Sequence, residues 1–180
     1  HMLEFQILHF EKIIDSLKPS HRVLLDDGKI ELTVEKKIGN DKVECKVVFG
    51  GELKDGKGVN LPDSDLKNVT PLTDKDLEDL KNGLKLGIGL VALSFVRFAS
   101  DISLLKSHLP KDSRVKVIAK IEKPQAVKNL DEILKVTDGI MVARGDLGVE
   151  LPYEKLPSIQ KQIIQKANDS NVIVTTATQM

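Results

Sequence analysis

Apolar and polar residues alternate over residues 30–34 (Ile-Glu-Leu-Thr-Val) and again over 43–47 (Val-Glu-Cys-Lys-Val). A period of two puts every second side chain on one face, so each stretch predicts a strand with one wet side. Val23-Leu24-Leu25 precedes the first of them across the turn Asp26-Asp27-Gly28, and Gly39-Asn40-Asp41 separates the two. Gly50-Gly51 and Gly56-Lys57-Gly58 punctuate the chain beyond them, and the region from about Arg22 to Leu61 reads as a small antiparallel β module.

After Pro71 the pattern changes. Thr73 is placed to cap a helix running to Leu84, with acidic residues in its first turn. Four apolar runs then predict buried strands, at 91–96, 115–122, 139–143 and 172–178. Helical stretches lie between them, at 101–109, 125–136 and 154–168, and Val127, Leu130, Ile133 and Leu134 share one face of the second. Strict alternation of apolar strands with helices predicts an α/β architecture: a parallel sheet covered by helices, open or closed into a barrel.

Each of these strands ends in polar residues: Ser94 and Arg97, Lys120 and Glu122, Arg144 to Asp146, and Thr175, Thr176 and Thr178. Parallel strands bring their C-terminal ends to one side of the sheet, where ligands of α/β folds bind. Lys120 and Glu122 are two apart and project from one side of their strand. With Asp146 they would bring two carboxylates and one ammonium together. Such a set suits a hard divalent cation such as Mg²⁺, with the lysine answering negative charge that develops in a reaction. Gly145 permits close backbone approach, and its neighbouring amides suit an anion, helped by a helix turn expected near Leu151-Pro152. Taken singly, Lys120 and Glu122 also suit an ordinary ion pair, Asp146 a loop or cap residue, and Thr178 plain β-propensity. Arg144-Gly145-Asp146 follows an apolar run directly, which is unlike the exposed polar loop of an adhesion tripeptide.

Composition narrows the partners. The chain has 27 Lys plus Arg against 27 Asp plus Glu, so its formal net charge of zero supports neither nucleic acid nor an anionic membrane as the main partner. Aromatics make up 3% and Trp is absent, so the core must be aliphatic. The lone Cys45 cannot form an internal disulfide, which fits a reducing, cytoplasmic setting. No apolar run approaches the roughly 20 residues of a membrane-spanning helix.

The stretches V-I-A-K-I-E (117–122), L-D-E-I-L-K-V-T-D-G-I-M-V-A-R-G-D-L-G-V-E-L-P (130–152), Q-K-Q-I-I-Q-K-A-N (160–168) and T-A-T-Q-M (176–180) closely resemble the pyruvate kinase family. Upstream, L-L-D-D-G-K-I (24–30), K-G-V-N-L-P (57–62) and L-S-F-V-R (93–97) resemble it in the same order, whereas the sequence before Lys18 matches only vaguely. The resemblance implies a TIM barrel with a small inserted β domain. Here that gives part of the inserted domain over 1–66 and part of the barrel over 67–180, with four of the eight barrel strands.

The reaction it implies is phosphoryl transfer from phosphoenolpyruvate to ADP, then protonation of the enolate to pyruvate, a step of glycolysis. It implies Mg²⁺ or Mn²⁺ and, for the family, K⁺, whose ligands fall outside this segment. By resemblance, Lys120 stabilises the phosphoryl transfer and the enolate, Glu122 and Asp146 hold the divalent metal, and the amides of Gly145 and Asp146 with the Thr178 hydroxyl receive the substrate carboxylate. Thr178 also stands near the protonation step, and Asp27 and Lys57 resemble β-domain residues facing the nucleotide. The family's phosphate-binding arginine also falls outside this segment, so the isolated chain is expected to be an inactive piece. It is also expected to self-associate as a homo-oligomer. Two other readings are a metal-dependent lyase of the phosphoenolpyruvate-type barrels, which lack the inserted β domain, and a non-catalytic module.

Overall fold

The computed structural model describes residues 11–64, 66 and 69–177. The chain divides into two units, His1–Val69 and Thr70–Met180.

In the first unit a helix α1 (Glu11–Ser16) precedes four antiparallel strands, β1 (Arg22–Leu25), β2 (Ile30–Ile38), β3 (Lys42–Phe49) and β4 (Val59–Asn60), in the order β3-β2-β1-β4. The alternation in β2 buries Ile30, Leu32 and Val34 and turns Glu31, Thr33 and Glu35 outward. The buried set packs with Leu17, Val23, Leu25 and Leu61. The β1–β2 turn needs left-handed backbone at three successive residues, Asp26 (φ 50°), Asp27 (φ 57°) and Gly28 (φ 82°). Gly and Asp are among the residues that tolerate it, which is why this tripeptide turns the chain. Both β2 and β3 run longer than their alternation predicts.

The second unit opens with α2 (Asp74–Lys85). Its cap is the one expected: the Thr73 hydroxyl accepts from the Asp76 N–H at 3.2 Å, and the Asp76 carboxylate accepts from the Thr73 N–H at 2.8 Å. Such a cap contributes about 1 kcal/mol. Then come β5 (Leu90–Leu93), α3 (Ala99–Ser107), β6 (Lys116–Ile121), α4 (Pro124–Lys128), α5 (Leu130–Leu134), β7 (Gly139–Val142), α6 (Arg144–Glu150), a 3₁₀ turn (Tyr153–Lys155), α7 (Leu156–Asp169) and β8 (Ile173–Thr176). The four strands pair in parallel in chain order, β5-β6-β7-β8, so β5 and β8 are edges and the barrel is not closed.

Two expectations differ. The stretch 125–136 is broken at Asn129, whose side-chain amide donates to the Arg97 carbonyl at 3.0 Å. The stretch after Ala143 is helical from Arg144, where the sequence predicted a strand end and a loop before a later helix turn.

The two faces of this sheet are unlike. Val117, Ala119, Ile121, Ile140 and Val142 are wholly buried against Ile102 and Leu105 of α3, Ile133 of α5, Leu147 of α6 and Ile163 and Ala167 of α7. The alternate positions carry Leu90 (55% exposed), Ala92, Ile118, Met141 and Ile173 (74% exposed), together with Lys116, Lys120 and Thr175. Gly139 lies in the row of Ala92, Ile118 and Ile173. A Cβ there would stand 2.6 Å from Ile118 Cδ1 and 3.2 Å from the Ile173 carbonyl oxygen. Among the described residues, no helix is long and apolar enough to cross a membrane.

Candidate active site

The pairing of β5 with β6 and β6 with β7 sets their C-terminal ends side by side. Ser94 follows β5, Lys120 lies in β6 with Glu122 just after it, and Arg144 to Asp146 follow β7. Backbone bonds carry the register past the strand ends, from the Ala143 N–H to the Ile121 carbonyl (3.2 Å) and from the Ala177 N–H to the Val142 carbonyl (3.0 Å).

Glu122 is the most enclosed carboxylate of this group, only 1% exposed. Its Oε2 accepts the Phe95 N–H at 2.6 Å. Its Oε1 lies 2.5 Å from Lys120 Nζ, an ion pair by distance that lacks the alignment of a hydrogen bond, so this buried oxygen has no hydrogen-bond partner. Lys120 Nζ instead donates to Ser94 Oγ at 3.0 Å. Phe95 holds its N–H on Glu122 through a left-handed backbone, φ 54°, in a residue with a bulky side chain. That conformation is costly for such a residue, and backbone strain of this kind gathers at functional sites.

The neighbouring turn is clamped separately. Asp101 Oδ2 accepts from the Arg97 N–H (2.8 Å) and the Phe98 N–H (3.1 Å), and the buried Arg97 guanidinium lies 3.5 Å from the same oxygen.

Gly145 and Asp146 occupy the first turn of α6, both partly exposed. The Arg144 Nε–H donates to the Ala177 carbonyl at 2.8 Å, tying the start of the helix to the end of β8. Lys123 and Glu150 form a buried ion pair between the end of β6 and the end of α6, and Lys123 Nζ lies 5.6 Å from the centroid of the Phe95 ring. Removing one partner of such a pair costs about 3–5 kcal/mol, because the other charge is left buried and uncompensated. Sequence reasoning missed Lys123, Glu150 and the role of the Phe95 backbone. The i,i+4 spacing of Asp146 and Glu150 was the available signal for Glu150.

Thr178 lies outside the described residues. In the first unit Lys57 meets Asp26. Lys57 Nζ lies 2.9 Å from Asp26 Oδ1 and Lys29 Nζ 3.1 Å from Oδ2, while Asp27 is exposed. The Lys57 contact, and then that of Lys29, lowers the Asp26 carboxyl below its ordinary value, and Asp26 raises the Lys57 ammonium in return.

Among the described residues, no group of three or more His, Cys, Asp or Glu is placed to hold a metal. A site here would therefore rest on two carboxylates.

Comparison with known proteins fits this arrangement. The family model of the pyruvate kinase barrel domain matches residues 3–180, which extends the likeness well upstream of Lys18. The chain is 45% identical over 177 residues to a pyruvate kinase of Clostridium perfringens, covering 96% of this chain and 36% of that protein. It is 47% identical over 176 residues to pyruvate kinase 2 of Synechocystis, covering 96% of this chain and 29% of that protein. A pyruvate kinase of Mycobacterium tuberculosis is 47% identical over 174 residues, covering 95% and 36%. The chain thus spans about a third of the length of the curated relatives it matches. With adjacent strand ends that bring Ser94 to Lys120 and the Phe95 N–H to Glu122, and a family match over nearly its whole length, the chain belongs to the pyruvate kinase family.

Proposed function

We propose that this chain supplies the metal and enolate half of a site that transfers the phosphoryl group of phosphoenolpyruvate to ADP and then yields pyruvate. The observation that carries the reading is the Lys120–Glu122 pair at the end of β6, with one Glu122 oxygen buried against the Lys120 ammonium and the other held by the Phe95 N–H. Positioning and charge stabilisation dominate phosphoryl transfer. A lysine ammonium fixed by Ser94 stabilises oxygen charge that grows in the transition state more than charge already present in the substrate.

The divalent ion implied by the family, Mg²⁺ or Mn²⁺, fits Glu122 and Asp146. One or two carboxylates, with remaining positions left for water and substrate oxygens, is the donor set Mg²⁺ takes, and the enclosed Glu122 Oε1 already stands against a cation, the Lys120 ammonium. Bound there, the ion would neutralise charge on substrate oxygens. The amides of Gly145 and Asp146 and the hydroxyl of Thr178 are assigned to the substrate carboxylate, and Thr178 also to the protonation step. Asp27 and Lys57 are assigned to the nucleotide side; Lys57 would then exchange its bond to Asp26 for a phosphate oxygen. K⁺ belongs to the reaction of the family without a ligand assigned in this chain, which alone is inactive. The open face of the second sheet is covered by a second copy when the chain stands alone.

The test is Lys120→Met in a full-length protein carrying this segment. Turnover falls by about 10²-fold or more, while Mn²⁺ binding and the KM for phosphoenolpyruvate stay near their starting values. A variant that keeps its kcat and loses only substrate affinity removes Lys120 from the transition state.

A further inference from the structure

The Lys123–Glu150 pair has no part in the chemistry above, yet it joins the two backbone segments that carry the candidate metal ligands. Lys123 directly follows Glu122. Glu150 stands four residues beyond Asp146 in α6, one helical turn along the same face. Lys123 and Glu150 are 7% and 4% exposed. Phe95 makes a third corner, with its N–H on Glu122 and its ring against Lys123 Nζ.

A buried ion pair is a poor device for stability alone, since well-packed apolar side chains of similar size serve as well or better. What it adds is direction, because a charge-assisted contact fixes a length and an angle. The helix it holds has need of that. α6 is seven residues long with Gly145 and Gly148 inside it, too short and too glycine-rich to set its own position. A two-carboxylate Mg²⁺ site tolerates little error in the placement of its oxygens.

We propose that Lys123 and Glu150 are positioning residues: their ion pair sets Asp146, through α6, relative to Glu122, and thereby tunes divalent-metal affinity. The inference rests on the assignment of Glu122 and Asp146 as metal ligands. Two predictions of a merely structural role differ from it. Structural glue is replaceable by an apolar pair with no loss of metal affinity, and any loss of affinity it causes should track loss of stability.

The experiment measures Mn²⁺ affinity of the full chain from the free-ion electron paramagnetic resonance signal, beside metal-free thermal unfolding. The double variant Lys123→Met/Glu150→Leu removes both charges and keeps the volume. It is expected to unfold at or above the wild-type temperature while binding Mn²⁺ about tenfold or more weakly, the usual effect of disturbing residues that orient metal ligands. Should the double variant not fold, Glu150→Asp decides, since it keeps the charge and draws α6 in by one methylene. A loss of about tenfold supports the proposal, and wild-type affinity overturns it. Glu122→Gln and Asp146→Asn separate the positioning role from the metal assignment. If both abolish Mn²⁺ binding while the double variant binds like wild type, the positioning role is wrong and the metal assignment stands. If the wild-type chain binds no Mn²⁺, or either ligand variant keeps full affinity, the metal assignment fails and the positioning role fails with it.

Discussion

The antiparallel sheet of the first unit and the parallel sheet of the second differ in what their second face is made of. In β2 the positions opposite the core are Glu31, Thr33 and Glu35, polar groups suited to water. In β5 to β8 the positions opposite the core are mostly apolar, Leu90, Ala92, Ile118, Met141 and Ile173, with Lys116, Lys120 and Thr175 among them. The first sheet is finished on one side by its own composition. The second is apolar on the face its helices cover and largely apolar, with Lys116, Lys120 and Thr175, on the other. A sheet whose strands are apolar on both sides is built to be covered on both sides, which is why its strands read as continuous runs and those of the first unit as alternation.

The contrast can be broken first in the covered core. Ile140 is wholly buried, and Ile140→Ala is expected to lower unfolding free energy by about 2–5 kcal/mol. Glu31→Ala, on the outward face of β2, should stay within about 0.5 kcal/mol. Urea unfolding followed by circular dichroism compares the two, and equal effects would erase the distinction between the faces.

The open face offers a second test. Leu90→Lys with Ile173→Lys should leave the fold of a single chain nearly unchanged, within about 1 kcal/mol for two exposed sites. It should also turn a self-associating chain into a monomer by light scattering, because an exposed apolar face and two free strand edges invite a partner. A wild-type chain that is monomeric at high concentration and binds no apolar dye would show that this face needs no cover.

The smallest effect belongs to the turn of the first unit. The Asp26 carboxyl is held below its ordinary value of 3.8, chiefly by Lys57. A depressed folded value means a stabilising contribution that is present above the unfolded value and is lost as pH falls through the folded one. Lys57→Met should therefore move the Asp26 titration up toward 3.8 in an NMR pH series. An unmoved titration would show that the two do not meet in solution.

Local rules made much of this legible. The alternation of β2, the Thr73 cap and the four parallel strands follow from periodicity and cap chemistry, which act within a few residues. The family's motif residues Lys120 and Glu122 could be placed because both sit at the end of one strand. What escaped depended on distant partners. The break at Asn129 answers to Arg97, not to the apolar period of 125–136. The helix at Arg144–Glu150 has weak intrinsic propensity and is held by the Ala177 carbonyl, the burial of Leu147 and the Lys123 pair. Nothing in a phenylalanine announces a left-handed backbone, so the N–H that Phe95 gives to Glu122 had no local signature.

Gly139 has a consequence for inheritance. Every missense change one base away from a glycine codon adds at least a methyl group, so this position has no silent neighbour among amino acids. Even alanine would require Ile118 to turn aside and the Ile173 backbone to retreat by a few tenths of an ångström. Ile118 is flexible at its tip, and Ile173 belongs to a strand at the edge of the sheet among the described residues. The mildest alleles would therefore fray the sheet from its β8 side, and larger ones would push that strand away. Since Ala177 and the start of α6 are tied to β8, damage at a position bearing no side chain would reach the segment that carries Asp146.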